Sequence, residues 1–459
     1  MSTASAISRL LPRWRGTAWL LALLALLGFG LELRAFWPGL MSTDSFEQYV
    51  QAALHRYNDH HPPIMAWVWS LTDRLIAGPA GMLILHLSLL WIGLWSVAEG
   101  ARRRGFRYTW LILPIGVMPW IANIAGVIWK DVGMACALLA AGGLLYDVEN
   151  SDGRLRFLVI TTAFVLIAYA TMVRANGFFA ALPLAAYAVA TARPRAAFAR
   201  AAGIGVAFVA LVLGGQQLLE RKVLDASPRH LSQLVMLFDL AGIACRGGGI
   251  DIPIAFRKPG YDAAALCPAY DPDQVDTLFF FPNSPLQMSL DEDAVQKLRG
   301  EWLAAATQHP KLYLAHRMQS FAGLLGLHRV SEDDRYLRQP YMQPNPWGFA
   351  FTRNTLWSAL DASVDALANS GLFSGALWIA VAAVLLVVIA RRRLQARFEA
   401  VLLVSGLMNA LPYLFLSLAP NYRFLYWTVL STSVALVLML LRAIAPELHR
   451  TGDATASAN

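Results

Sequence analysis

The sequence predicts an all-α polytopic membrane protein, and three observations carry that reading. Of the 459 residues, 57% are hydrophobic and only 15% charged, whereas soluble proteins carry roughly 25% charge. The mean hydropathy is +0.47. The apolar residues also run on without the period-two alternation that an outer-membrane barrel needs. A disordered chain, an ordinary cytosolic protein and a β-barrel are excluded together.

Apolar stretches of spanning length cover 17–39, 81–99, 108–128, 131–147, 157–173, 177–192, 199–219, 372–390, 398–418 and 422–442, about ten transmembrane helices. Two more, 62–77 and 311–327, are interrupted by Asp73 and Arg74 and by His316 and Arg317, and are not counted. With an inside N-terminus, the inner segments hold 18 arginines, among them Arg102, Arg103, Arg104, Arg391, Arg392 and Arg393. The short outer segments hold six basic residues: Arg34, Arg56, Arg74, Lys130, Arg174 and Arg423. That bias satisfies the positive-inside rule. It also accounts for the net charge of +8 without a nucleic-acid partner. Both termini are then cytoplasmic. Arg9, Arg13 and Arg15 precede a run with no clear cleavage site, so the first helix reads as a retained anchor.

The chain divides into an N-terminal transmembrane module (1–219, with a first outer loop at 40–80), an outer segment (220–371), C-terminal helices (372–445) and a disordered tail (446–459). The outer segment, mostly helical or irregular, holds 17 of the 30 acidic residues and 11 of the 23 prolines. It is too long to lack its own structure. Ser289 with Glu292 reads as a capping box opening a helix that ends at His309-Pro310, where a second begins. Cys245 and Cys267 are predicted to pair, since both face an oxidising compartment. Cys136 lies in an apolar run, and no zinc-type Cys/His spacing occurs.

Five polar clusters fall at the outer face: Asp44 and Glu47, then Asp59-His60-His61-Pro62-Pro63, Trp129-Lys130-Asp131, Arg174-Ala175-Asn176, and Asn421-Tyr422-Arg423. Each has a plainer reading. Asp44 stands where a helix cap would, Glu47 where it would complement the helix dipole. Lys130 and Asp131 would neutralise one another, and Arg174 and Arg423 would snorkel to headgroups. Their convergence on one face favours a shared cavity. It offers carboxylates able to act as bases beside cations able to hold an anion, and it contains no Gly-rich nucleotide loop. Such a cavity suits a group donor arriving in the bilayer on a lipid phosphate.

A first span, an acidic residue opening the first outer loop, a His-Pro-Pro element leading into a Trp-rich helix and a second acid between spans three and four resemble the GT-C superfamily. These are integral-membrane glycosyltransferases fed by polyprenyl-phosphate sugars, aminoarabinose transferases and protein O-mannosyltransferases among them. The resemblance covers roughly 17–220. It implies an inverting transferase at the periplasmic face of a bacterial inner membrane. Asp44 would be the catalytic base and Asp131 the second acid. Lys130, Arg174 and Arg423 would hold the donor phosphate, and Glu47, His60, His61, Asn176 and Tyr422 would line the substrate site. The acceptor would be a glycolipid, a polysaccharide or a protein. A lone Asp44 replaces the paired-acid motif of some members, so no cofactor is expected and a divalent cation stays open. The competing readings are a transporter or flippase for a lipid-linked or anionic substrate, and a scaffold protein.

Overall fold

The computed structural model describes residues 4–148, 153–330 and 335–444, with 4–16 as backbone alone; the tail at 446–459 lies outside the described residues. Among these residues the chain is all-helical, with isolated bridges but no strand. In order come α1 (Ala4–Phe36), α2 (Thr43–Leu54), α3 (Ile64–Asp73), α4 (Ala80–Arg103), α5 (Pro119–Ala125), α6 (Lys130–Val148), α7 (Gly153–Val173), α8 (Gly177–Ala192) and α9 (Phe198–Leu218). Helices Gly375–Arg391, Arg397–Ala410 and Tyr426–Ile444 close the bundle.

Seven stretches are long and apolar enough to cross a membrane: 17–36, 80–103, 130–148, 153–173, 198–223, 397–416 and 422–444. The expected spans at 177–192 and 372–390 are shorter apolar helices. The one expected at 108–128 is not a single helix. It is a 3-10 helix, Thr109–Val117, followed by α5. Pro114 removes a backbone donor from the first, and Pro119 starts the second, because proline fits a helix only in its first turn.

This broken segment still carries the chain from one end of the bundle to the other. Gly93 of α4 lies against Leu139 and Ala140 of α6, and Gly100 against Tyr146 and Asp147. Ascending numbers meet ascending numbers, so α4 and α6 run parallel. A parallel pair requires a return path between them, and Gly116 passes beside Trp91 and Leu94 on that path. The α4–α6 approach is close enough that a Cβ on Gly143 would stand 2.5 Å from the Gly93 carbonyl oxygen.

The two ends of the bundle differ in charge. Arg103 meets Asp147 at 3.2 Å and Glu99 at 3.0 Å, and Arg442 reaches Glu399 at 2.8 Å, all at one end. Lys130 and Asp131 lie in the first turn of α6, whose 19 residues span about 28 Å, so the second set of charges lies that far away.

The α9 rod continues as a π-turn through Leu219–Val223, past the expected boundary at 219. Beyond it, α10 (Ser232–Ile243), the short turns α11 (Leu266–Ala269) and α12 (Asp276–Phe279), α13 (Glu292–Gln308) and α14 (Pro310–Leu325) enclose a separate apolar core around Leu237, Phe238, Phe256, Leu278 and Leu298. A disulfide joins Cys245 and Cys267, with Cα atoms 5.3 Å apart. The cap of α13 is Asp291, whose carboxylate accepts from Asp293 N, in place of the expected Ser289; Ser289 Oγ instead accepts from Asp291 N at 3.1 Å.

His316 and Arg317, which read as interruptions, are wholly buried. Arg317 Nε pairs with Asp239 at 2.6 Å, and Trp302 Nε1 donates to the same carboxylate at 2.8 Å. Arg317 also donates to the Ser417 carbonyl at 2.9 Å, fastening this segment to the loop that carries Arg423.

Candidate functional site

Helix α2 begins at the end of the bundle far from the arginine belt, and its cap is Ser42. Trp129 Nε1 donates to Ser42 Oγ at 2.7 Å, holding the start of α2 against the start of α6. Asp44 is therefore free of capping duty. Its carboxylate accepts instead from Arg423 Nη2 at 2.8 Å. The Asp44 side chain remains 31% exposed and Arg423 13%, so solvent reaches the pair. Burial alone would push the Asp44 carboxyl up, but Arg423 first, with Lys130 behind it, holds it well below the usual carboxylate range.

The Arg423 guanidinium lies over the Trp129 ring, 4.7 Å from its centroid, and 5.4 Å from that of Phe424. Two aromatic faces therefore fix a planar cation in place. Lys130, the first residue of α6, places Nζ against His61 Nδ1. Burial first, then Lys130, pushes the His61 imidazole well below its ordinary value, so it is neutral. His60 stacks edge-on against His61 with centroids 4.8 Å apart, and its Nε2 lies 3.9 Å from Glu47. The Pro62-Pro63 step delivers both histidines, because Pro63 caps α3 and the chain before it cannot be helical.

Asp131 and Arg174 lie deeper. Asp131 is 1% exposed and Arg174 8%, and the two form an ion pair. Arg174 Nε donates to Asn176 Oδ1 at 2.8 Å, and its guanidinium is flanked by the rings of Tyr413 and Phe424 at 5.6 and 4.9 Å. These groups form the floor of the site. The catalytic acid expected at Asp131 and the phosphate ligand expected at Arg174 are thus enclosed and paired with each other through Asp131 Oδ1, while Asp131 Oδ2 has no hydrogen-bond partner.

Tyr422 does not line the site. The 3-10 turn Tyr422–Leu425 sends successive side chains in different directions, so Arg423 faces Asp44 while Tyr422 donates to the Trp120 carbonyl at 2.6 Å. Its ring packs on Phe373 at 5.4 Å.

Sequence reasoning missed Trp129 as the platform for Arg423. It also missed the wall formed by 336–349. Gln343 N donates to the Met41 carbonyl at 2.8 Å, and Trp347 packs on Tyr49 and Phe46 at 4.9 and 6.2 Å. The aromatic density of Pro340 to Trp347 was the available signal. Two open clefts on the outer segment, of about 640 and 870 Å³, contain none of these charged residues.

The arrangement offers an accessible carboxylate, an arginine and a lysine around one solvent-reached point, above a neutral buried ion pair. Comparisons with family models, curated proteins and solved structures yield no match.

Proposed function

We propose that this chain is a membrane glycosyltransferase moving a sugar from a polyprenyl-phosphate donor to an acceptor hydroxyl at the outer face of a bacterial inner membrane. The observation that supports it most is the partly exposed Asp44–Arg423 pair beside Lys130, at the end of the bundle opposite the arginine belt. A lipid-borne phosphate would reach that depth without leaving the bilayer. Its oxygens compete with Asp44 for the planar Arg423 fork. The displaced carboxylate, no longer held by its partner, becomes a stronger base.

In the transfer step the acceptor oxygen attacks the anomeric carbon and the bond from that carbon to the phosphate oxygen breaks. Asp44 takes the hydroxyl proton, and the polyprenyl phosphate leaves with its charge neutralised by Arg423 and Lys130. The acceptor is a surface glycolipid, a polysaccharide or a protein. Proteoliposomes supplied with a polyprenyl-phosphate sugar and envelope acceptors test the reading, with Asp44→Asn as the inactive control.

A transporter or flippase reading draws on a different observation. Two titratable side chains lie inside spanning helices: Glu32 is 4% exposed and accepts from Trp91 Nε1 at 2.6 Å through one oxygen, while His86 is fully buried and neither ring nitrogen is hydrogen-bonded. Intramembrane ionisable groups mark ion pathways often enough to name the alternative. Substrate movement across sealed vesicles without chemical change would support it.

A further inference from the structure

We infer that Glu47, His60 and His61 form a binding site for a divalent transition-metal ion, zinc being the best match to the donor set. Two imidazoles and one carboxylate make up a ligand set that zinc takes in sites keeping a position open. Each of the three residues offers one ligand atom, and these atoms all lie within 4.8 Å of one another. Bond lengths of 2.0–2.2 Å in a tetrahedron put ligand atoms about 3.3 Å apart. The set is therefore gathered to within about 1.5 Å of closure, a distance that side-chain rotation in Glu47 and His60 covers. These two are the partly exposed members, at 39% and 22%.

The third member supplies an independent observation. His61 is 6% exposed, and its Nε2 has no hydrogen-bond partner although it is buried. A buried ring nitrogen left unpaired costs free energy comparable to a lost hydrogen bond unless something occupies it. The other ring nitrogen is already engaged by Lys130 Nζ, so Nε2 is the atom left over. Nε2 is therefore the atom through which His61 would bind the ion.

A fourth coordination position would take water or an anionic oxygen. The site stands on its own donor atoms and does not depend on the transferase reading.

The test uses the full-length protein in detergent with its affinity tag removed. It is stripped with chelator, incubated with zinc, desalted and assayed for bound metal, and cobalt substitution is followed by visible absorption. About one zinc per chain is expected, with a tetrahedral cobalt spectrum, and His60→Ala and Glu47→Gln should each weaken binding by about tenfold or more. Both side chains are partly exposed, so these variants keep the fold; a monodisperse elution profile checks that. Wild type retaining no zinc, or retention unchanged when both substitutions are combined, overturns the site.

Discussion

Asp44 and Arg423, from the short helix α2 that follows the first apolar helix and from the turn that precedes the last, are joined by a 2.8 Å hydrogen-bonded ion pair at the end of the bundle away from the arginine belt. The contact closes the N-terminal and C-terminal parts of the chain onto one point. Trp129 is central to it, since the same indole carries Arg423 on its face and donates through its N–H to Ser42, the cap of α2.

Replacement of Asp44 by Asn is expected to lower transfer about a hundredfold or more, because general-base assistance contributes that much. Membrane insertion and protein level should be unchanged, since Ser42 caps α2 without help from Asp44. A complementation assay with quantitative blotting checks both halves.

Arg423→Lys separates phosphate recognition from headgroup snorkelling. Lysine keeps charge and reach but cannot make two parallel hydrogen bonds or lie flat on Trp129. Turnover at limiting donor should fall well below wild type, whereas a lipid anchor would tolerate the change.

The pH dependence follows from the same pair. The folded Asp44 carboxyl lies below its unfolded value, so the pair's stabilisation is complete above about pH 4 and is lost only as pH falls through the lower folded value. Removing the guanidinium leaves burial as the largest influence, which raises the carboxyl. The residual turnover of Arg423→Ala should therefore fail at a higher pH on the acid side than wild type. Parallel pH profiles of kcat/KM read the difference.

Arg174 acts through the framework. Removing one member of a buried pair leaves an uncompensated charge and costs about 3–5 kcal/mol, whereas neutralising both costs far less. Arg174→Gln should lower the thermal midpoint in detergent sharply, and adding Asp131→Asn should restore much of it. Equal midpoints for the single and double variants would remove the pair from the floor of the site.

Much of this arrangement was legible in the sequence, because spanning helices fix the height of every polar residue between them. That is why Asp44, Lys130 and Arg423 could be placed at one level before any contact was known. Pairing was not legible. Whether Asp44 caps a helix or meets Arg423 depends on side-chain direction, which a 3-10 turn at Tyr422–Leu425 redirects from residue to residue. The apolar run 108–128 has the composition of a span, yet two prolines break it, and only the parallel packing of α4 on α6 shows that it still runs from one end of the bundle to the other. His316 and Arg317 looked like interruptions because their partner, Asp239, lies on another helix of the outer segment. Glu32 and His86 went unremarked as single polar residues in apolar runs.

The disulfide closes a loop with sequence separation 22 and should contribute about 3 kcal/mol to the outer segment by the chain-entropy estimate. Thiol labelling without prior reduction should leave both cysteines unmodified, and labelling after reduction should modify both.

The most direct measurement compares envelope glycans and polyprenyl-linked sugars in a strain lacking the gene, complemented with wild type or with Asp44→Asn at equal protein level. The account predicts that wild type restores one sugar increment on a defined acceptor, while the Asn variant leaves that increment missing and the lipid-linked donor accumulated. Identical glycan masses and donor levels in all three strains would contradict it.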